Sequence, residues 1–335
     1  MNAATRRHLE LDERFDGQLQ HTLLGVLDTT RNPMAGRLLR RWLNRPLRNQ
    51  EAIRARHDAV GKLLDSGLCE DLRTIFRGIG DIERILTRVA LRSARPRDLS
   101  GLRDTLKRLP EINSLLQRVD SQRLNELRTA LGQHPELAGH LSDALLEQPS
   151  VLLRDGGIFA TGFDAELDEL RLLSTNADQF LIDLEVREKA ATGIATLKVG
   201  YNRVHGYYIE ISKGQAEKAP THYTRRQTLT GAERFITEEL KSFEDKVLSA
   251  RERSLARERF LYEQLLDALN RDLESLKQCA QALAECDVLA CFAERAERLN
   301  WCQPQLTDQE GIRIIRGRHP VVEQVREQPF EPNDL

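Results

Sequence analysis

The residues best suited to chemistry lie in two short polar turns and in the stretch leading to the second. Asn202-Arg203-Val204 and Thr230-Gly231-Ala232 offer an amide, a guanidinium, a hydroxyl and a glycine N–H, groups that hydrogen-bond phosphate oxygens without reading a base. Arg225 and Arg226 add positive charge nearby. Residues 192–237 hold seven Lys and Arg against three Glu, in a chain whose 50 basic and 52 acidic residues leave a net charge of −2. Any nucleic-acid surface is therefore local. Other chemistries find little support. His205 has no second His, Cys or carboxylate at ligand spacing, the five cysteines form no C-x-x-C pair, and no G-x-x-x-x-G-K-[ST] phosphate loop occurs. The residues predict no catalytic centre, no metal and no cofactor of their own.

The elements that must position those turns follow from periodicity. From Asp164 to Gly193, Leu170, Leu173, Ala177, Leu181 and Leu184 recur every three or four residues, which predicts one long helix of about 28 residues, or roughly 40 Å. A second begins near Thr237 with Leu240, Phe243, Val247 and Ala250. Between them, four of the five tyrosines (Tyr201, Tyr207, Tyr208, Tyr223) and alternating β-branched residues predict a small β-module joining an outgoing to a returning helix. If the four strands simply alternate in direction, both turns lie at the end farthest from the rest of the chain.

Residues 1–150 read as short helices. Asn32 and Pro33 have the form of an N-cap and first helical residue, Gly67 that of a C-cap after Glu51–Ser66, and Pro110 that of a stop after Leu99, Leu102, Leu106 and Leu109. Asp155-Gly156 predicts a small hairpin between Val151–Leu153 and Ile158–Ala160. Arg84, Arg88 and Arg92, at four-residue spacing, would suit a nucleic-acid groove, but a solvated helix face with Asp and Glu neighbours explains them as well and is the reading preferred. No apolar run approaches the roughly 20 residues of a membrane helix, so a cytoplasmic protein with no membrane partner is expected. The fold class is mainly α: a helical-bundle core with two long antiparallel helices and a small antiparallel β-module at their tip. The boundaries are 1–163 for the core, 164–191 for the outgoing helix, 192–237 for the β-module, 238–300 for the returning and core helices, and 301–335 for a further segment.

Thr196-Leu197-Lys198-Val199-Gly200-Tyr201-Asn202, His205-Gly206-Tyr207-Tyr208-Ile209, Arg225-Arg226-Gln227-Thr228-Leu229 and Ala232-Glu233-Arg234-Phe235 closely resemble the clamp domain of the bacterial MutS DNA mismatch-repair proteins. The resemblance continues through Asn2–Leu11, Pro33–Leu47, Asp81–Leu86 with Ala94–Leu99, and Gly317–Glu323. It implies a core, two lever helices and a clamp that grips double-stranded DNA by its backbone, with contacts falling on Asn202, Arg203, Thr230 and Gly231. Arg225 and Arg226 join that set on electrostatic grounds. It further implies a homodimer, a MutL-type partner, a nucleoid-associated cytoplasmic setting, and ATP with Mg in an ATPase domain whose start is residues 301–335. The family's mismatch-reading Phe-x-Glu has no counterpart beyond Phe292-Ala293-Glu294 in a helical pattern. A fragment of a longer protein is therefore expected. Without the resemblance, the same residues also suit the coiled-coil arm of an architectural or RNA-binding protein.

Overall fold

The computed structural model describes residues 5, 8–202 and 206–335, with backbone alone for 174–178. It is mainly helical with one four-stranded antiparallel sheet, and it divides into two compact units: residues up to Ser142 together with Leu266–Leu335, and Asp143–Leu265. No helix among the described residues is long and apolar enough to cross a membrane.

The first unit contains α1 (Leu23–Leu27), α2 (Pro33–Asn44), α3 (Gln50–Ser66), α4 (Cys69–Phe76), α5 (Ile82–Ala90), α6 (Pro96–Leu106), α7 (Leu109–Gln117), α8 (Gln122–Leu131) and, after the second unit, α12 (Leu273–Arg298). Alanines and small thiols make α12 narrow, and it packs against α2, α3, α4, α5 and α8 with Leu276, Ala280, Leu283, Val288 and Leu289 buried. Local punctuation acts as the sequence predicts. Asn32 Oδ1 accepts from Ala35 N–H at 2.9 Å, and Gly67 ends α3 at φ +67°. Pro110 departs from expectation: it sits in the first turn of α7, where its missing N–H has no helical partner to lose.

One buried carboxyl ties this unit together. Asp287 Oδ2 on α12 accepts from Arg31 N–H, Asn32 N–H and Asn32 Nδ2, each at 2.8 Å, fixing the loop that starts α2. Asp287 is fully buried and its Oδ1 has no hydrogen-bond partner among the described residues. Burial pushes this carboxyl up to about 6, against the backbone donors, the Arg73 charge and in concert with Asp28.

The unit boundary falls near the end of α9 (Pro135–Ala144), whose residues up to Ser142 belong to the first unit; the second holds the segment 145–163, then α10 (Ala165–Thr192), the sheet, and the first part of α11 (Glu238–Arg271), up to Leu265. Asp164 caps α10 by accepting from Leu167 N–H, and Gly193 ends it at φ +66°. Within the unit, α10 and α11 run antiparallel: Arg257 pairs with Asp164 at 2.7 Å, Phe180 stacks on Phe243 at 3.8 Å, and Arg187 meets Glu239. The hairpin expected at Asp155-Gly156 is replaced by a single 3-10 turn, Leu153–Asp155, and one isolated bridge between Leu145 and Phe159. The reason lies on α11. Buried Glu258 accepts from Gly157 N–H (3.1 Å), Ile158 N–H (3.3 Å) and Arg171 (2.7 Å), drawing away backbone groups a hairpin would pair. Gly311–Ile315 forms no regular strand; Ile314 exchanges backbone bonds with Leu335, and Gly317 with Asn333.

The raised Asp287 value has a testable sign. Folding favours the protonated carboxyl, so this group's stabilisation is complete below its ordinary 3.8 and lost as pH rises through about 6. Urea melts of wild type and Asp287→Asn should diverge by roughly 2–3 kcal/mol between pH 4 and 7.5, the wild type losing ground as pH rises. Asp287→Ala, which strands three donors, should cost about 3 kcal/mol at neutral pH.

Candidate nucleic-acid interface

The sheet consists of β1 (Lys198–Asn202), β2 (Gly206–Ser212), β3 (Thr224–Thr228) and β4 (Ala232–Ile236) in the order β1-β2-β4-β3. Alternation divides its faces. Tyr207, Ile209, Ile211 and Phe235 bury themselves with Ile194, Leu197, Leu184 of α10 and Leu240 of α11. The opposite face presents Lys198, Gly200, Tyr208, Glu210, Gln227 and Arg234. Its centre is highly ordered: the Tyr208 ring lies across Gly200, and the Arg234 guanidinium stacks on that ring at 4.0 Å while bonding Glu210 (2.8 Å) and Gln227 (3.2 Å).

The register corrects the expected strand order. β2 pairs antiparallel with β4, Ile209 opposite Phe235 and Ser212 opposite Ala232. The beginning of β2 therefore lies beside the end of β4, and the paired Asn202 and Gly206 fall at the opposite end of the sheet from the β3–β4 turn. At about 3.3 Å per residue, the seven residues of β2 separate them by roughly 20 Å. The connection 213–223, with its 3-10 turn Lys213–Lys218, is what lets β3 start at the far end.

At the β3–β4 end, Thr230 and Gly231 are exposed, and nothing among the described residues lies within 4 Å of where a Gly231 side chain would begin. The turn is closed by Leu229 N–H to Ala232 C=O at 2.8 Å. Lys213 N–H donates to Gly231 C=O at 3.1 Å, which places an exposed lysine beside the turn. Thr196 joins the same end through Ser212 (3.0 Å) and Gln215 (2.7 Å). Lys213 was not among the residues singled out from sequence; the signal for it is the length of 213–223, too long for a tight hairpin between β2 and β3.

The other expected contacts stand differently. Asn202 closes β1 and is half-buried, while Arg203 and His205 lie outside the described residues. This end turns back along α11: Tyr207 rests against Phe243, and the Glu244 carboxylate fills the space over Gly206, which sits at φ +69°. Arg225 and Arg226 face inward demands. Arg225 pairs with nearly buried Glu233 at 2.9 Å; Arg226, at the irregularity in the β3–β4 register, reaches Tyr207 C=O (3.2 Å) and Glu244 (3.3 Å). Together with Arg234–Glu210, these pairs neutralise three of the seven basic groups counted from sequence. Exposed Lys198, Lys213 and Lys218 take part in none of the ion pairs described. Elsewhere, Arg84, Arg88 and Arg92 pair with Asp81, Asp98 and Asp267, as a solvated face requires.

The arrangement defines a helical protein that mounts a small antiparallel sheet on a pair of long antiparallel helices and exposes one polar, weakly cationic sheet end. Residues 4–293 match the family model of MutS domain III, and the chain belongs to the MutS family of DNA mismatch-repair proteins.

Gly206 supplies a check on the module's geometry. Gly206→Ala forces a left-handed residue and drives a methyl into Glu244, and it should destabilise the module by about 1–2 kcal/mol. Adding Glu244→Ala should relieve the steric share but not the backbone share, as read by urea midpoints of the single and double variants.

Proposed function

We propose that these residues form the core, lever and clamp portion of a mismatch-repair protein, and that the clamp grips duplex DNA by its backbone, without sequence preference, through the β3–β4 end of the sheet. The observation that carries this reading is the convergence there of the Thr230 hydroxyl, the open Gly231 backbone and Lys213. These groups suit phosphate oxygens and carry no base-reading pattern. Asn202 then belongs to a second, separate contact, because roughly 20 Å of strand keeps it from sharing a phosphate with Thr230. Arg225 and Arg226 act mainly inside the module, where phosphate must compete with Glu233 and Glu244.

In this reading the long helices transmit the state of the clamp. DNA at the sheet and ATP with Mg at an ATPase domain each favour particular helix arrangements, so each alters the other's affinity. The sequence 1–335 contains no phosphate loop, and no catalytic step is assigned to its residues. A homodimer would add avidity by engaging two clamps at once, and a MutL-type partner would follow downstream. The alternative of an RNA-binding or purely architectural arm has no observation in its favour beyond the helix pair itself.

Duplex binding measured against salt tests the proposal. With about three phosphates neutralised, log K should fall against log salt with a slope near −3. Lys213→Ala should reduce that slope by about one and weaken binding equally on unrelated sequences, whereas Arg225→Gln should leave the slope nearly unchanged. Arg203→Glu and Lys213→Glu should weaken binding additively in log K if the two ends contact DNA separately. A flat slope in wild type, or variants all equal to wild type, contradicts the reading.

A further inference from the structure

A second site lies in the helical unit, away from the β-module. A cavity of about 470 Å³, within the range of small-molecule pockets, opens between α2, α3, α12 and the segment 301–304. Both tryptophans of the chain, Trp42 and Trp301, line it, and no Asp or Glu does.

Three features of α3 suit a ligand. Gly61 stands in the helix interior with an ordinary right-handed backbone, where glycine is less favourable than alanine, yet nothing among the described residues lies within 4 Å of where its Cβ would be. The helix accepts that disadvantage and leaves a hollow in the cavity wall. One turn earlier, on the same face, His57 Nδ1 is buried without a hydrogen-bond partner among the described residues. Burial also lowers the ring's tendency to take up a proton. Third, the Arg56 guanidinium lies over the Trp42 ring at 3.5 Å but has only a distant share of a carboxylate: Glu285 is 3.8 Å away, and both its oxygens already accept from Arg123 at 2.9 Å. Arg123 repels Arg56 as well. A half-buried cation with a committed counter-ion, an apolar hollow and an idle ring nitrogen ask for one molecule.

We infer that this cavity binds a small planar aromatic anion, its ring between the tryptophans and the Gly61 hollow and its negative group on Arg56. His57 Nδ1 then meets a polar atom of the ligand. This site is independent of the DNA reading, because none of its residues belongs to the β-module.

The two tryptophans make occupancy directly readable. The probe is 8-anilinonaphthalene-1-sulfonate, an aromatic anion, compared with uncharged N-phenyl-1-naphthylamine, both followed by energy transfer from tryptophan in the full chain. The anion should bind more tightly than the neutral probe, and Arg56→Gln should weaken the anion about tenfold while leaving the neutral probe unchanged. Gly61→Leu, which fills the hollow, should abolish transfer to both and keep or raise the urea midpoint. Should Gly61→Leu fold poorly, the wild-type and Arg56→Gln comparison still decides. Equal affinity for both probes would reduce the site to a greasy groove and overturn the inference. So would an Arg56→Gln chain that binds the anion as wild type does, or a folded Gly61→Leu chain with undiminished transfer.

Discussion

The antiparallel pairing of β2 with β4 governs what the β-module can present. Four opposed residue pairs, from Ile209 with Phe235 to Ser212 with Ala232, fix which end of the sheet the β3–β4 turn occupies. They bring Lys213 to Gly231, set Gly206 against Glu244, and place Tyr207, Ile209, Ile211 and Phe235 on the face that covers α10 and α11. A shift of one residue would turn that apolar face outward, so the buried side chains and the register enforce each other.

Three of the seven basic groups of the module hold it together. Arg225, Arg226 and Arg234 each sit on a carboxylate, two of them on groups that are nearly buried, and an arginine removed from such a partner leaves an uncompensated buried charge. The lysines differ. Lys198, Lys213 and Lys218 extend from the surface on flexible stems, a form suited to screened, exchangeable contact with phosphates. Net charge alone therefore overstates the field available to a ligand, and the distribution of partners decides which end attracts an anion.

What could be read from sequence was local. Asn32 before Pro33, Gly67, and the pairing of Asp164 with Gly193 at the two ends of α10 are signals whose physics is complete within a few residues. The misreadings have separate causes, one distant and one local. The Asp155-Gly156 turn yields to Glu258, about a hundred residues away, and Pro110 opens a helix because α6 already ends at Leu106. At the candidate site, Thr230 and Gly231 were legible as an exposed polar turn. Lys213 was not, because its position depends on a strand pairing that local alternation leaves open. The arginines at 225 and 226 looked available because their partners Glu233 and Glu244 are set by the fold rather than by spacing.

The central claim is that the β3–β4 end of the sheet, and not the β3 arginines, meets the DNA backbone. Amide hydrogen exchange of the chain with and without a 20-base-pair duplex tests this most directly. The account predicts slowed exchange at residues 212–214 and 229–232 on adding DNA, with Arg225–Gln227 unchanged. Slowing confined to Arg225–Gln227, or no change anywhere in the module at saturating DNA, would contradict it.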